Sequence, residues 1–410
     1  MTPPAKRPAK GDIVELDVTA LAAGGDGVAR DAGGRVTFVP RTVPGDRVKA
    51  KIVRGTSSLA HAQLVEIVTP SAARIEPPCP HFRRGCGGCQ WQHVTRAEQL
   101  LAKQAIVGGA LRKLEGVVIH PIADPAPPYG WRRRARFHVA GGKVGLFQEG
   151  SHRVLAIDHC PQLEPKLDIA LGQVAASSPP DGELAMVVGH RGDVAIGLQR
   201  EWGGAQRLVG RAAIRGVVTG NSRLGNPLVE LEPELSIEPW EFAQASAAGN
   251  LALIAAVRAA VGPGPGALVE LHAGSGNFTR ALVGDGWDVT ASDIVAPQRK
   301  PAAARFEVGA AAEVLARITS PGDGSESRFL DLGPVDALVL DPPRTGAAEA
   351  IDEIVRVAPR TIVYVSCDPS TLARDAGRLV AAGYRATDAW PIDLMPQTSH
   401  VEVVMRLVKP

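Results

Sequence analysis

The stretch Ala267-Leu268-Val269-Glu270-Leu271-His272-Ala273-Gly274-Ser275-Gly276-Asn277-Phe278 passes from an apolar segment through a glycine turn into the start of a helical pattern. Glycines between a strand and a helix let the backbone approach a bound cofactor closely, and the missing side chains leave room for an adenosyl group. The third glycine of the dinucleotide fingerprint is absent because Phe278 and Thr279 continue the helix, which favours S-adenosylmethionine over NAD. The next strand, from Asp288, is followed by Asp293, about where a carboxylate accepts hydrogen bonds from ribose hydroxyls. Around this stretch, helical and strand patterns alternate from Phe242 onward. We expect a helix near Ala245 to Val261, strand Ala267 to Leu271, helix Phe278 to Val283 and strand Asp288 to Ala291, then strand Ala337 to Leu340, helix Glu349 to Val357, strand Thr361 to Val365 and helix Thr371 to Ala381. This alternation predicts an α/β class, a doubly wound Rossmann-like sheet whose ligands bind beyond the carboxyl ends of its strands. Thr319 to Glu326 reads as a polar loop.

Two more strand ends belong on the same sheet edge as the glycine turn. One runs into Asp341-Pro342-Pro343-Arg344, the other into Ser366-Cys367-Asp368-Pro369. Amino-group methyltransferases commonly place an aromatic residue after a similar Pro-Pro pair, to stack on a flat amine. Here Arg344 takes that place with a cysteine nearby, which points to carbon methylation. Carbon 5 of uracil is too weak a nucleophile to attack a sulfonium methyl group. A thiolate adding to carbon 6 makes an enolate that can, and a general base must then remove the carbon-5 proton so that the thiolate can leave. Cys367 is the candidate nucleophile, and a helix beginning near Ser370 is expected to lower its pKa. For the base, Met395 to Met405 alternates like a strand that places His400 and Glu402 on one face; between Val401 and Val403, a desolvated Glu402 carboxyl should have a raised pKa.

The front of the chain has a different character. Residues 1 to 160 hold 23 Lys+Arg against 13 Asp+Glu, whereas residues 161 to 410 hold 22 against 30, an asymmetry that points to a polyanion docking on the N-terminal portion. Trp131-Arg132-Arg133-Arg134-Ala135-Arg136-Phe137 suits a nucleic-acid surface, since guanidinium groups pair with phosphate and rings stack on bases. Strand-like segments Ile13 to Val18, Arg35 to Val39, Arg47 to Val53 and His61 to Val68, separated by Gly24-Gly25-Asp26-Gly27 and Val43-Pro44-Gly45-Asp46, imply a small closed barrel. Pro70 to Pro80 reads as a linker; beyond it come a helix from Arg96 to Leu114 and strands Ala135 to Val139 and Lys143 to Phe147. Cys79, Cys86, Cys89 and Cys160 have six, two and seventy residues between them, a spacing that suits a metal centre, zinc included, or an iron-sulfur cluster. An odd cysteine count without an export signal, and no apolar run of membrane-spanning length, lead us to expect a cytoplasmic protein that contacts no membrane.

These motifs together resemble the RNA uracil-C5 methyltransferase family, S-adenosylmethionine enzymes that make 5-methyluridine. The resemblance covers almost the whole chain. Gly27-Val28-Ala29-Arg30 and Val43-Pro44-Gly45-Asp46-Arg47-Val48 resemble the TRAM RNA-binding domain; Cys79-Pro80-His81-Phe82, Cys86-Gly87-Gly88-Cys89 and Asp158-His159-Cys160-Pro161 resemble the family's 4Fe-4S site. The resemblance implies an OB-like TRAM barrel over 1-70, a central iron-sulfur and RNA-binding α+β domain over 75-238, and a methyltransferase domain over 239-410. It implies Cys367 as nucleophile, Glu402 as base, and Gln244, His272, Asn277, Asp293 and Asp341 at the cofactor. The family usually has Tyr-Cys where this chain has His272-Ala273, and Glu where it has Asp293. As substrate it implies structured RNA, with 23S rRNA favoured over tRNA because a TRAM domain more often accompanies ribosomal enzymes. We expect a monomer. The competing reading is a non-catalytic RNA-binding or assembly protein, which the presence of both Cys367 and Glu402 disfavours.

Overall fold

Among the described residues, eight strands form the sheet that carries the glycine turn. Their order across the sheet is Arg305–Val308, Asp288–Asp293, Ala267–Leu271, Ala337–Leu340, Thr361–Ser366, Glu402–Val408, Arg385–Ile392 and Val118–Ile119. The first five run parallel, and Glu402–Val408 is inserted antiparallel to both its neighbours. The computed structural model describes residues 7–297, 299, 303–319 and 334–410, so all but the first residue of the expected polar loop Thr319 to Glu326 lies outside the described residues. Among the described residues no helix is long and apolar enough to cross a membrane.

The described chain divides into two compact units. The first comprises Met1–Ile106, Leu146–Arg153 and Met395–His400. Its centre is a closed barrel of strands Ile13–Leu21, Gly27–Arg30, Val36–Val39, Leu59–Thr69 and Arg47–Gly55 in spatial order. Alternation puts Leu16, Val18, Val48, Ala50, Ile52, Ala60 and Ala62 inside. Gly27–Arg30, of which pattern reading assigns Gly27 alone, to the end of a turn, is a strand in its own right and pairs on both sides. Its four residues are too few for alternation to register.

The second unit comprises Val107–Gly145, Val154–Leu394 and Val401–Pro410. Besides the eight-stranded sheet it contains most of a seven-stranded one, ordered Ser222–Gly225, Ile214–Thr219, Val194–Leu198, Gly182–Val188, Arg134–Ala140, Lys143–Phe147 and Val154–Ala156. Every residue of Val194–Leu198 is buried, so this strand lacks the alternation that marks a half-exposed one.

Helix Pro369–Ala381 follows Cys367 and grips the loop that follows Leu340. Thr371 Oγ1 donates to the Arg344 carbonyl at 3.1 Å, Arg374 Nη2 to Thr345 O at 2.8 Å and Arg378 Nη1 to Ala348 O at 2.7 Å. The buried Asp375 carboxylate accepts from the Ala347 N–H at 2.9 Å and from the Tyr364 hydroxyl at 2.8 Å. Gly346 lies at φ +83°, and a Cβ there would come within 2.4 Å of Asp375 Oδ2, so a side chain is excluded on both counts. Burial by itself would raise the Asp375 carboxyl, but hydrogen bonds from Arg374, Ala347 and Tyr364 hold it below its ordinary range. Asp375→Ala should therefore cost about 2 to 3 kcal/mol by orphaning these donors, and Tyr364→Phe about 1. An unchanged urea midpoint for Asp375→Ala would contradict this bracing role.

Candidate active site

Parallel strands present their last residues at one edge. Here Leu271, Leu340 and Ser366 end side by side, and the sheet order reverses between Ala267–Leu271 and Ala337–Leu340, which opens a crevice. The inserted antiparallel strand begins at the same edge, with Val403 paired to Ser366 and Glu402 to Ile392. The result is a cleft of about 1060 Å³ lined by Gln244, His272, Gly274, Asp293, Asp341, Arg344, Cys367 and Glu402. Of the sequence-predicted residues outside the cysteine quartet, Asn277 alone is missing from this lining. It faces a small adjoining cavity together with Gln244, His272 and Asp341.

The turn has the shape its composition demands. His272, Gly274 and Gly276 all have positive φ, and a Cβ on Gly274 would meet no protein atom within 4 Å. The Gly274 N–H donates to Asp293 Oδ2 at 2.9 Å, which ties the turn to the end of the neighbouring strand. His272 Nε2 is buried without a partner, and burial lowers its pKa against the opposing pull of Asp293 and Glu349. An orphaned polar atom beside open space and a bare glycine backbone fit an adenosyl ligand.

The carboxyl groups beyond the turn are desolvated. Glu402 is 5% exposed, and its pKa is pushed up to about 8 by burial and then by Asp341, with Arg344 opposing. Burial pushes Asp341 up to about 7, and Gln244 Nε2 donates to its Oδ2 at 3.3 Å. Glu270, which no motif singled out, is pushed up to about 8 by burial despite a 2.6 Å hydrogen bond from Thr279 Oγ1. Its signal in the sequence was a charge inside an otherwise apolar strand.

Two sequence expectations need correction. The Cys367 thiol is not acidified: burial and the Glu402 charge push it up to about 11, against an opposing charge and hydrogen bond from Arg344. The helix start that was expected to lower it is capped by the Asp368 carboxylate, which accepts from Ser370 N at 2.9 Å and Thr371 N at 3.0 Å. Nor does a strand run from Met395. It begins at Glu402, and Met395–His400 forms a turn belonging to the first unit, in which Thr398 Oγ1 donates to Met395 O at 2.7 Å. His400 and Glu402 therefore do not share a strand face.

The arginine-rich segment also divides. Trp131, Arg133 and Phe137 are buried, so the flanking rings belong to the core. Arg134 and Arg136 instead lie over other rings, 5.7 Å from the Phe242 centroid and 5.6 Å from that of Trp240, and both of those rings line the cleft. Phe242 is 61% exposed, the kind of accessible ring a nucleobase can use.

In the first unit Cys79, Cys86 and Cys89 are buried and not disulfide-bonded, and Cys79 and Cys89 form an apolar cluster with Phe82. Burial pushes the Cys86 thiol up, the Gly88 N–H opposes this, and Cys79 adds to it. Cys160 belongs to the second unit, where its N–H donates to Asp168 Oδ1 at 2.7 Å. Among the described residues no three His, Cys, Asp or Glu side chains already stand as a metal-ligand group. The three buried thiols nonetheless have the donor chemistry an iron-sulfur cluster takes.

Residues 9–65 match the TRAM domain family, and residues 329–409 match the family described as tRNA (Uracil-5-)-methyltransferase. The 23S rRNA (uracil(1939)-C(5))-methyltransferase RlmD of Marinomonas sp. is 31% identical over 97% of this chain and 96% of its own length. The enzyme of that name from Thiobacillus denitrificans is 33% identical over 95% and 98%, respectively. In fold the chain resembles Pyrococcus abyssi tRNA (uracil-54, C5)-methyltransferase in complex with S-adenosyl-L-homocysteine, with TM-score 0.72 and 20% identity, covering 96% of this chain and 100% of that one. Similarity of this extent, on a sheet edge that brings a thiol and a buried carboxyl to one cleft, makes the chain a member of the S-adenosylmethionine-dependent RNA (uracil-5-)-methyltransferase family.

Proposed function

We propose that this protein methylates carbon 5 of a uridine in 23S rRNA, through a covalent bond from Cys367 to carbon 6 and removal of the carbon-5 proton by Glu402. The observation that carries the reading is that Cys367 and Glu402, brought in by adjacent antiparallel strands, open onto the same cleft as the glycine turn. When bound, S-adenosylmethionine supplies an electrophilic methyl group. Gly274 gives its adenosyl part room, Asp293 takes the ribose hydroxyls, and Gln244, His272, Asn277 and Asp341 line the rest of its site.

As a thiolate, favoured by the Arg344 charge, Cys367 adds to carbon 6 and leaves electron density at carbon 5, which takes the methyl group. Carbon 5 then carries both a methyl group and a proton. Glu402 takes that proton, the C–H electrons reform the double bond to carbon 6, and the Cys367 thiolate departs. A carboxyl with a pKa of about 8 is a stronger base than an ordinary one once it is ionised.

Around this centre, residues 1-70 act as the RNA-binding barrel, 75-238 as a central iron-sulfur and RNA-binding part, and 239-410 as the catalytic part. Cys79, Cys86, Cys89 and Cys160 hold a 4Fe-4S cluster that serves folding or RNA docking, in a cytoplasmic monomer. The RlmD relatives support 23S rRNA as substrate. A tRNA substrate is the second reading, favoured by the description of the family matched over 329–409. Mapping 5-methyluridine in cellular RNA with and without the protein separates the two.

Cys367→Ala should reduce methylation on the order of a thousandfold or more while RNA affinity holds; substantial residual turnover would contradict the covalent route. Glu402→Gln should still methylate but accumulate an RNA–protein adduct on a denaturing gel, and normal turnover by this variant would remove Glu402 as the base. Because Glu402 keeps its proton below about 8, the steady-state rate should climb with pH between roughly 6.5 and 8.5, where a flat profile would count against the assignment. Anaerobically purified protein should absorb in the visible and contain about four iron atoms per chain, and Cys86→Ser should lose both; stoichiometric zinc without visible absorption would overturn the cluster.

A further inference from the structure

Glu232 belongs to no motif singled out above. It ends strand Val229–Glu232 of a hairpin with Leu235–Ile237, and its side chain is 19% exposed. Glu232 Oε1 accepts from Arg133 Nη2 at 3.1 Å and from Asn250 Nδ2 at 2.9 Å, while Oε2 lies 3.8 Å from Arg280 Nη2. A largely desolvated carboxylate must be satisfied in this way, and charge-assisted hydrogen bonds fix their partners more firmly than neutral ones.

Two arms lead away from it. Along one, the buried Arg133 donates through Nε to the Gln244 carbonyl at 3.1 Å and through its backbone N–H to Ala245 O at 2.8 Å. Along the other, Asn250 and Asn277 exchange amide hydrogen bonds, at 2.9 Å from Asn250 to Asn277 and 2.8 Å in return. The arms end on two walls of one cavity, since Gln244 and Asn277 both line the space beside Gly274. We infer that Glu232 is a positioning residue for the methyl donor, setting Gln244 through Arg133 and Asn277 through Asn250. The inference rests on the proposed function only in giving that cavity to the donor.

Calorimetric titration of the full chain with S-adenosylhomocysteine, alongside steady-state kinetics, tests it. Glu232→Gln should bind S-adenosylhomocysteine about tenfold more weakly and show a matching rise in KM for the donor. Its kcat at saturating donor and its KM for RNA should stay at wild-type values. Asn250→Ala cuts one arm only, carries the same expectation, and serves if Glu232→Gln does not fold. The double variant should lose less than the product of the two single effects, because both act along one connection. A folded variant with unchanged S-adenosylhomocysteine affinity, or one losing kcat and RNA binding while donor affinity holds, would overturn the assignment. Wild-type protein that binds S-adenosylhomocysteine without methylating carbon 5 would overturn the reaction proposed above and leave this assignment standing.

Discussion

One antiparallel strand in an otherwise parallel neighbourhood governs the site. Parallel strands can bring only their carboxyl ends to the crevice, so a residue at a strand's beginning reaches it only if that strand runs the other way. Glu402–Val408 does so beside Thr361–Ser366, and the pairing of Ser366 with Val403 brings Glu402 to the edge where Cys367 emerges. The last strand is buried on both faces and pairs with a neighbour on each side, so the carboxyl is held by the same packing that holds the sheet. Helix Pro369–Ala381 extends this order outward by fixing the loop that bears Arg344.

Burial then decides the electrostatics. Burial raises both Glu402 and Asp341, Asp341 further opposes the ionisation of Glu402, and Arg344 is the cation that offsets both Glu402 and the Cys367 thiol. Burial, more than any neighbouring charge, moves the Glu402 and Asp341 carboxyls into the neutral range. Burial holds the Cys367 thiol and the Glu402 carboxyl largely protonated at neutral pH, against the pull of Arg344.

Much of the fold was legible in the residues. The strand–glycine–helix unit and the alternation around it identify the doubly wound sheet, and Ala267–Leu271 and Ala337–Leu340 occupy the ranges their patterns indicate. The valines around Glu402 foretell its raised pKa. What escaped reading depended on tertiary partners. Burial raises the Cys367 thiol where a helix start was expected to lower it, and Trp131 and Phe137 turn inward although they bracket arginines. The Glu232 connection joins residues whose sequence separations conceal it, and Glu270 looks like one charge in an apolar strand until its burial is seen.

The proposed reaction turns on a transient carbon–sulfur bond at Cys367, and RNA containing 5-fluorouridine can trap it. Fluorine cannot leave as a proton does, so an adduct that has accepted the methyl group has no way to eliminate. With S-adenosylmethionine present, peptide mass spectrometry should locate a methylated fluorouridine on Cys367. Failure to trap any adduct, or an adduct on a different residue, would contradict the account.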